Sequence, residues 1–332
     1  MNRTMSSLLG SKEATKRSLC SATDLTVLGI LTLLLVALPV GASGYVLYVV
    51  NLLMVYVVLS LGMHLAIGET GQFTLSHTAF FGIGIYTAGL VNNHWHYPFP
   101  VSILAGAAVA ALVGWVIGVL ALRMRDIYLA LATFAFGEAM QWVLLNWESV
   151  TRGANGLRFR AATLGELQLV SDLLAYPFVV AIAALMMTLT VAITRSRLGL
   201  AFRAVRESDM AAVAMGVNAR AIKVTSFVLS AAFAGVAGGM YTLFTSFIHP
   251  ESLGFETTVM VLTMVVVGGL GSVRGAIAGA IIVGLISELL RQAPSYQEII
   301  YGVVLMLFMM FLPKGLASLM SARAVAKKGG AS

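Results

Sequence analysis

The sequence predicts an all-α polytopic membrane protein of about ten transmembrane helices, some short or broken, with both termini cytoplasmic. Three observations carry that prediction. Of 332 residues, 59% are hydrophobic and 11% charged, and the mean hydropathy is +0.92, leaving too few charges to coat a soluble core. Apolar runs of roughly 17 to 25 residues, long enough to cross a bilayer core, follow one another along the chain. The runs lack the alternating ten-residue pattern of a β-barrel.

Residues 1–24 form a polar, Ser/Thr-rich tail holding Cys20, the only cysteine, which can form no internal disulfide. The run Leu25 to Val40 is long for a signal-peptide core and another span follows at once, so it reads as a span. The spans fall at about 25–43, 45–67, 78–92, 99–122, 127–147, 173–194, 224–247, 256–270, 276–290 and 298–312. Gly68 to Gly71 and Gly268 to Gly275 punctuate the series, making the third, eighth and ninth spans candidates for broken or re-entrant segments. A transmembrane domain over 25–316 and a C-terminal tail over 317–332 complete the chain.

Lys and Arg are retained on the cytoplasmic side of membrane proteins. With the N-terminus inside, 17 basic residues fall in cytoplasmic segments and four outside: Arg152, Arg158, Arg160 and Arg291. This split favours an even number of spans. The net charge of +7 therefore reports membrane orientation, and not nucleic-acid binding.

Residues 195–223 form a cytoplasmic loop rich in basic residues. Ser208 and Asp209 read as an N-cap and first-turn acid, and Gly216 as the residue past the end of a short helix, Asp209 to Met215. A helix over Gly199 to Arg206 would align Leu198, Phe202 and Val205, and set Arg203 opposite Glu207 at i,i+4. A solvated loop is the plain reading. The apolar face of Ala211, Ala212, Ala214 and Met215 argues for a packing partner instead.

Glu138 lies near the middle of a predicted span, where a carboxyl must meet a cavity or a partner. Gln72, Thr74, Ser76 and His77 form a polar break flanked by His64 and Glu69. His77 reads either as a proton relay or as a hydrogen-bonding structural residue. His94, Trp95 and His96 suit an outer interface. Small residues at intervals of four (Gly271, Gly275, Gly279; Ala231, Gly235, Gly239; Gly106, Ala110, Gly114, Gly118) give faces for close helix packing or gliding. The external loop 148–172 carries Arg152, Arg158 and Arg160, offset by Glu148, Glu166 and Asp172; Asn155 suits its turn. No metal cluster, nucleophile-base pair or Gly-Lys-Ser/Thr phosphate loop is visible, so no catalytic or metal-binding residues are expected.

The pattern Ala211-Ala212-Val213-Ala214-Met215-Gly216 resembles the coupling loop of ABC importer permeases, with Met210 in place of the usual glutamate. Gly71-Gln72-Phe73-Thr74-Leu75-Ser76-His77 and Ala79-Phe80-Phe81-Gly82-Ile83-Gly84 resemble the signature of branched-chain amino acid permeases, departing from it at Thr74 and Ser76. Arg125 to Glu138, Thr151 to Leu157, Gly268 to Ser272 and Phe311 to Leu316 are similar to that family's other blocks, in order. The pattern is closer to the M-type subunit than to the H-type.

The resemblance implies a non-catalytic permease subunit moving leucine-like amino acids across a bacterial cytoplasmic (inner) membrane by alternating access. ATP and Mg would be used by two separate ATPase subunits, with no cofactor in this chain; a second, homologous permease and an external substrate-binding protein complete the set. It makes Arg206, Glu207, Asp209, Ala211, Ala212 and Gly216 the coupling residues. It makes Gln72, Thr74, Ser76, His77, Thr133 and Glu138 candidates for the path or gate. Arg152, Arg158 and Arg160 become a docking surface for the binding protein, the alternative being an ordinary charged loop. Other amino acids, urea or short amides remain open as substrates. The competing classes are an ion-coupled secondary transporter, in which Glu138 and His77 would couple, and then a membrane enzyme.

Overall fold

The computed structural model describes residues 43–121, 124, 126–165, 167–292 and 296–311. The expectations for both tails, the first span as far as Ala42, Cys20 and Glu166 lie outside them. The described chain is a helical membrane fold with two minimal sheets and no closed barrel. Six of its segments are long and apolar enough to cross a membrane: Gly44–Glu69, Phe99–Leu120, Ile127–Asn146, Asp172–Arg195, Ala219–Tyr241 and Pro250–Gly268.

Helix α1 (Gly44–Met63) is apolar around its whole circumference and is the buried centre, with Val57, Val58 and Leu59 sealed from solvent. It runs without interruption into a π-helix, His64–Glu69. After the break the chain forms α2 (His77–Trp95), α3 (Phe99–Ala121), α4 (Asp126–Asn146), a short α5 (Glu148–Thr151) and α6 (Asp172–Arg195); of these, α6 packs along α1. The chain continues through α7 (Arg197–Glu207), α8 (Asp209–Ala214), α9 (Ala219–Tyr241), α10 (Phe255–Gly268), α11 (Val273–Leu289) and α12 (Gln297–Phe311).

Small residues explain why α2, α3 and α9 pack so closely. A Cβ on Gly84 of α2 would lie 2.5 Å from the Gly235 carbonyl of α9, and one on Gly106 of α3 2.8 Å from the Gly84 carbonyl. A Cβ on Gly235 would lie 2.8 Å from the Gly106 carbonyl, so three backbones touch one another.

Several boundaries differ from the sequence reading. The third span is a continuous helix, and the break precedes it at residues 70–76. The seventh starts five residues early, because the Asn218 side chain caps it by accepting from the Ala221 N–H; it ends at Tyr241, before a short strand. The eighth and ninth spans form a hairpin that turns at Gly269 and Gly271, both at positive φ. Gly271 therefore makes the turn, and is not on the packing face its spacing suggested.

The 148–172 segment is a folded cap, not an open loop. Strand β1 (Leu157–Arg158) pairs antiparallel with β4 (Phe247–Ile248), and β2 (Ala162–Leu164) with β3 (Leu167–Leu169). Leu157, Phe159, Ala162 and Leu169 are buried beneath it. Asn92 and Asn93 at the end of α2 donate to the Arg160 and Arg158 carbonyls, fastening the cap to the bundle. The basic segment lies at the opposite end.

Candidate functional site

The site is built where the π-helix leaves α1. Thr70 Oγ1 donates back to the Ala66 carbonyl at 2.7 Å, and the Gln72 N–H reaches the same carbonyl at 2.9 Å, closing the chain into a tight reversal. The reversal is stitched to the start of α9: Thr70 Oγ1 lies 2.7 Å from Ser226 Oγ, and Gln72 Nε2 donates to the Lys223 carbonyl at 3.0 Å and to Ser226 Oγ at 3.1 Å. On its other side the Leu75 N–H donates to Thr133 Oγ1 of α4 at 3.0 Å, and Thr74 and Ser76 bond to each other at 3.0 Å.

His77 opens α2 with both ring nitrogens engaged. Nε2 is 2.8 Å from the Leu59 carbonyl, which can only accept, so the proton sits there; Nδ1 faces Ser230 Oγ at 3.3 Å. Gln72, Thr74, Ser76, His77 and Thr133 are all buried. They brace α1, α2, α4 and α9 around the break.

The basic segment folds as two short helices. Ser196 and Ser208 cap them, their side chains accepting from the Leu198 and Ala211 N–H groups. Gly216, at φ +85°, ends the second helix, and the Val217 N–H returns to the Ala212 carbonyl at 2.9 Å. Val205, Ala212 and Ala219 form a small core with Val217 and Ile222, which answers the marginal stability of such short helices.

Two expectations change here. Phe202 and Val205 are buried, but Leu198 is 40% exposed, because Gly199 takes the inward position. Arg203 turns away from Glu207: its Nη1 lies 3.3 Å from Glu69 Oε2 and donates to the Thr194 carbonyl at 3.1 Å. Arg206 donates to the Gly68 carbonyl, and Lys223 pairs with Asp209. Of the alanine pair, Ala212 faces into the chain and Ala211 outward. The outward face carries Met210 and Met215, 85% and 84% exposed, with Val213 between them.

Beside these helices opens a cavity of about 940 Å³ walled by the 70–75 break, the start of α4 and residues 205–210. Leu75, Phe134 and Phe255 form part of its wall and also border a second, far smaller space of about 10 Å³ lined by Glu138. Phe134 and Phe255 meet edge to face with centroids 5.1 Å apart. Glu138 itself lies on the exposed side of α4. On the cap, Arg152, Arg158 and Arg160 are all exposed; Arg160 Nη1 is 3.1 Å from His96 Nε2, and Arg152 ends α5.

A family described as the branched-chain amino acid transport system / permease component matches residues 45–311. The chain belongs to that family. It is 32% identical over 325 residues to the high-affinity branched-chain amino acid transport system permease protein LivM of Escherichia coli (strain K12), covering 91% of this chain and 76% of that protein. The LivM protein of Salmonella typhimurium is likewise 32% identical, over 86% of this chain and 73% of its own length. The LivH protein of Escherichia coli (strain K12) is 26% identical over 79% of this chain and 90% of its own. No solved structure matches. As a member of the branched-chain amino acid permease family the chain is a multi-pass membrane transport component and not an enzyme.

Within that family frame, the contact between Glu69 and the basic segment is the feature that sequence reasoning undervalued. His64 and Glu69 were read only as flanking the break, because a π-helix leaves no periodic signal to show which way they point.

Proposed function

We propose that this chain is the M-type permease subunit of an ATP-binding-cassette importer and forms part of the path for branched-chain, leucine-like amino acids. The observation that carries the reading is the capped helical hairpin at 197–216, whose apolar methionine face is turned outward from the chain. A hairpin anchored on its inner side and apolar on its outer side suits a groove on a partner. By this reading two ATPase subunits using ATP and Mg receive that face, and Arg206, Glu207, Asp209, Ala211 and Gly216 frame it. Ala212 supports it from inside.

The path runs along the exposed side of α4, past Glu138 and into the cavity beside the coupling hairpin, with Gln72, Thr74, Ser76, His77 and Thr133 holding its wall in place. A second, homologous permease covers that side. The three cap arginines offer positive charge to an external binding protein. Ten spans, both termini in the cytoplasm and insertion in the bacterial inner membrane complete the proposal; the charge split in the sequence supports it.

The test is uptake of labelled leucine into vesicles holding the assembled importer, comparing wild type with Met215→Glu. Met215 is exposed, so the change spares the chain's own packing. The expected result is ATP-dependent uptake lost in the variant together with retention of the ATPase subunits on co-purification. Uptake that needs no ATPase subunits and follows a proton or sodium gradient would sink the proposal.

A further inference from the structure

We propose that Glu69 is the positioning residue through which the coupling hairpin moves the membrane core. This rests on the coupling reading given above. The Glu69 carboxylate is 5% exposed and closes the π-helix. One oxygen lies 3.3 Å from Arg203 Nη1 on α7, and the other 3.4 Å from His64 Nε2, at the first residue of the same π-helix. His64 is fully buried, and the two ring nitrogens make no hydrogen bond among the described residues, so Glu69 is the group it faces.

Arg206, one turn along α7 from Arg203, donates to the Gly68 carbonyl. Two guanidinium groups on one helix thus hold two successive residues, at the place where α1 departs from α-helical winding. A buried carboxylate stripped of its cation is strongly disfavoured. When α7 is displaced, Glu69 therefore follows Arg203 or is left as an unpaired buried charge.

The π-helix makes following possible. Its wider turn holds a surplus residue, so the winding between His64 and Glu69 can change while the rest of α1 stays helical. Helix α1 is the buried centre of the fold, and two turns in from its far end Asn51 Nδ2 donates to the Asp172 carbonyl at the start of α6, 3.3 Å away. A pull on Glu69 thereby reaches the side remote from the hairpin. Arg203 is the outer half of the pair, and its side chain is 46% exposed, so it can be altered without opening the core.

The experiment uses the importer co-purified with its partner chains and reconstituted in liposomes. Glu69→Gln, Arg203→Gln and the double variant are compared with wild type by three readings: ATPase subunits retained, ATP hydrolysed, and labelled leucine transported per ATP. The inference expects both singles to keep the ATPase subunits and hydrolysis while leucine per ATP falls about tenfold, the scale of an ordinary coupling free energy. It expects the double variant to be no worse than either single, because the two changes remove one interaction.

Wild-type leucine per ATP in Arg203→Gln overturns the inference, and so does an additive loss in the double variant. Arg203→Gln carries the test alone if Glu69→Gln does not assemble. Met215→Glu runs alongside: if it keeps its ATPase subunits and its uptake, the coupling reading itself has failed, independently of Glu69.

Discussion

Single residues decide the shape of the break at the base of α1. Gly68 has no side chain because the His64 ring occupies its place; a Cβ there would lie 2.8 Å from His64 Cε1. Gly68→Ala is expected to destabilise the protein by about 1–3 kcal/mol through overpacking. In a His64→Ala background, where the ring is gone, the same change should cost far less than in wild type, as thermal unfolding in detergent would show. Thr133 makes a second kind of demand, since its Oγ1 accepts the Leu75 N–H at a buried position. Thr133→Val leaves that donor unpaired at a cost of about 1–3 kcal/mol, whereas Thr133→Ser keeps the acceptor. Equal melting temperatures for the two variants would contradict the account. The polar character of the break was legible in the run Gln72 to His77. Its inward direction was not, because nothing in the spacing tells a lining side chain from a bracing one.

Helices in this chain were legible where apolar length or a cap announced them. Ser208, Asp209 and Gly216 marked out the short α8, and the structure ends it at Ala214. What the sequence hid was partner choice: Arg203 had a plausible mate at i,i+4 and took Glu69, a residue 134 positions away, instead. The glycine stripes show the same division. Their spacing of four indicated close packing without saying which members touch. Gly235 of α9 meets the Gly106 carbonyl, so Gly235→Leu should prevent the α2, α3 and α9 backbones from closing and abolish stable protein. On the same stripe as Gly106, a Cβ at Gly118 would lie 3.4 Å from Phe227 Cβ, an ordinary contact, and Gly118→Ala should be accepted. Size-exclusion profiles of the two purified variants test this; a monodisperse Gly235→Leu protein would refute the three-backbone contact.

At the scale of the whole molecule the question is which sides of the bundle meet lipid. The exposed face of α3 carries Leu104, Leu112, Trp115 and Val119, an apolar surface that hydrocarbon accepts. Helix α4 is the least buried of the six long apolar segments, and its exposed face also carries Leu131 and Trp142. Glu138 lies between those two. A carboxylate at the centre of a lipid-facing helix costs about 2.5–3.5 kcal/mol, a cost that one exposed face bears and the other does not. The asymmetry favours lipid against α3 and protein or water against α4, and the sequence already pointed that way, since Glu138 sits mid-span while residues 99–121 carry no charge. In a Cys20→Ser background, Glu138→Cys is expected to react with a membrane-impermeant maleimide in the assembled importer, and Leu112→Cys to stay unreactive. Uptake should fall in Glu138→Leu while the variant still inserts and stays folded. If instead Glu138→Leu raised stability with uptake unchanged, the carboxylate would be a tolerated defect on a lipid face, and the path would have to run elsewhere in the bundle.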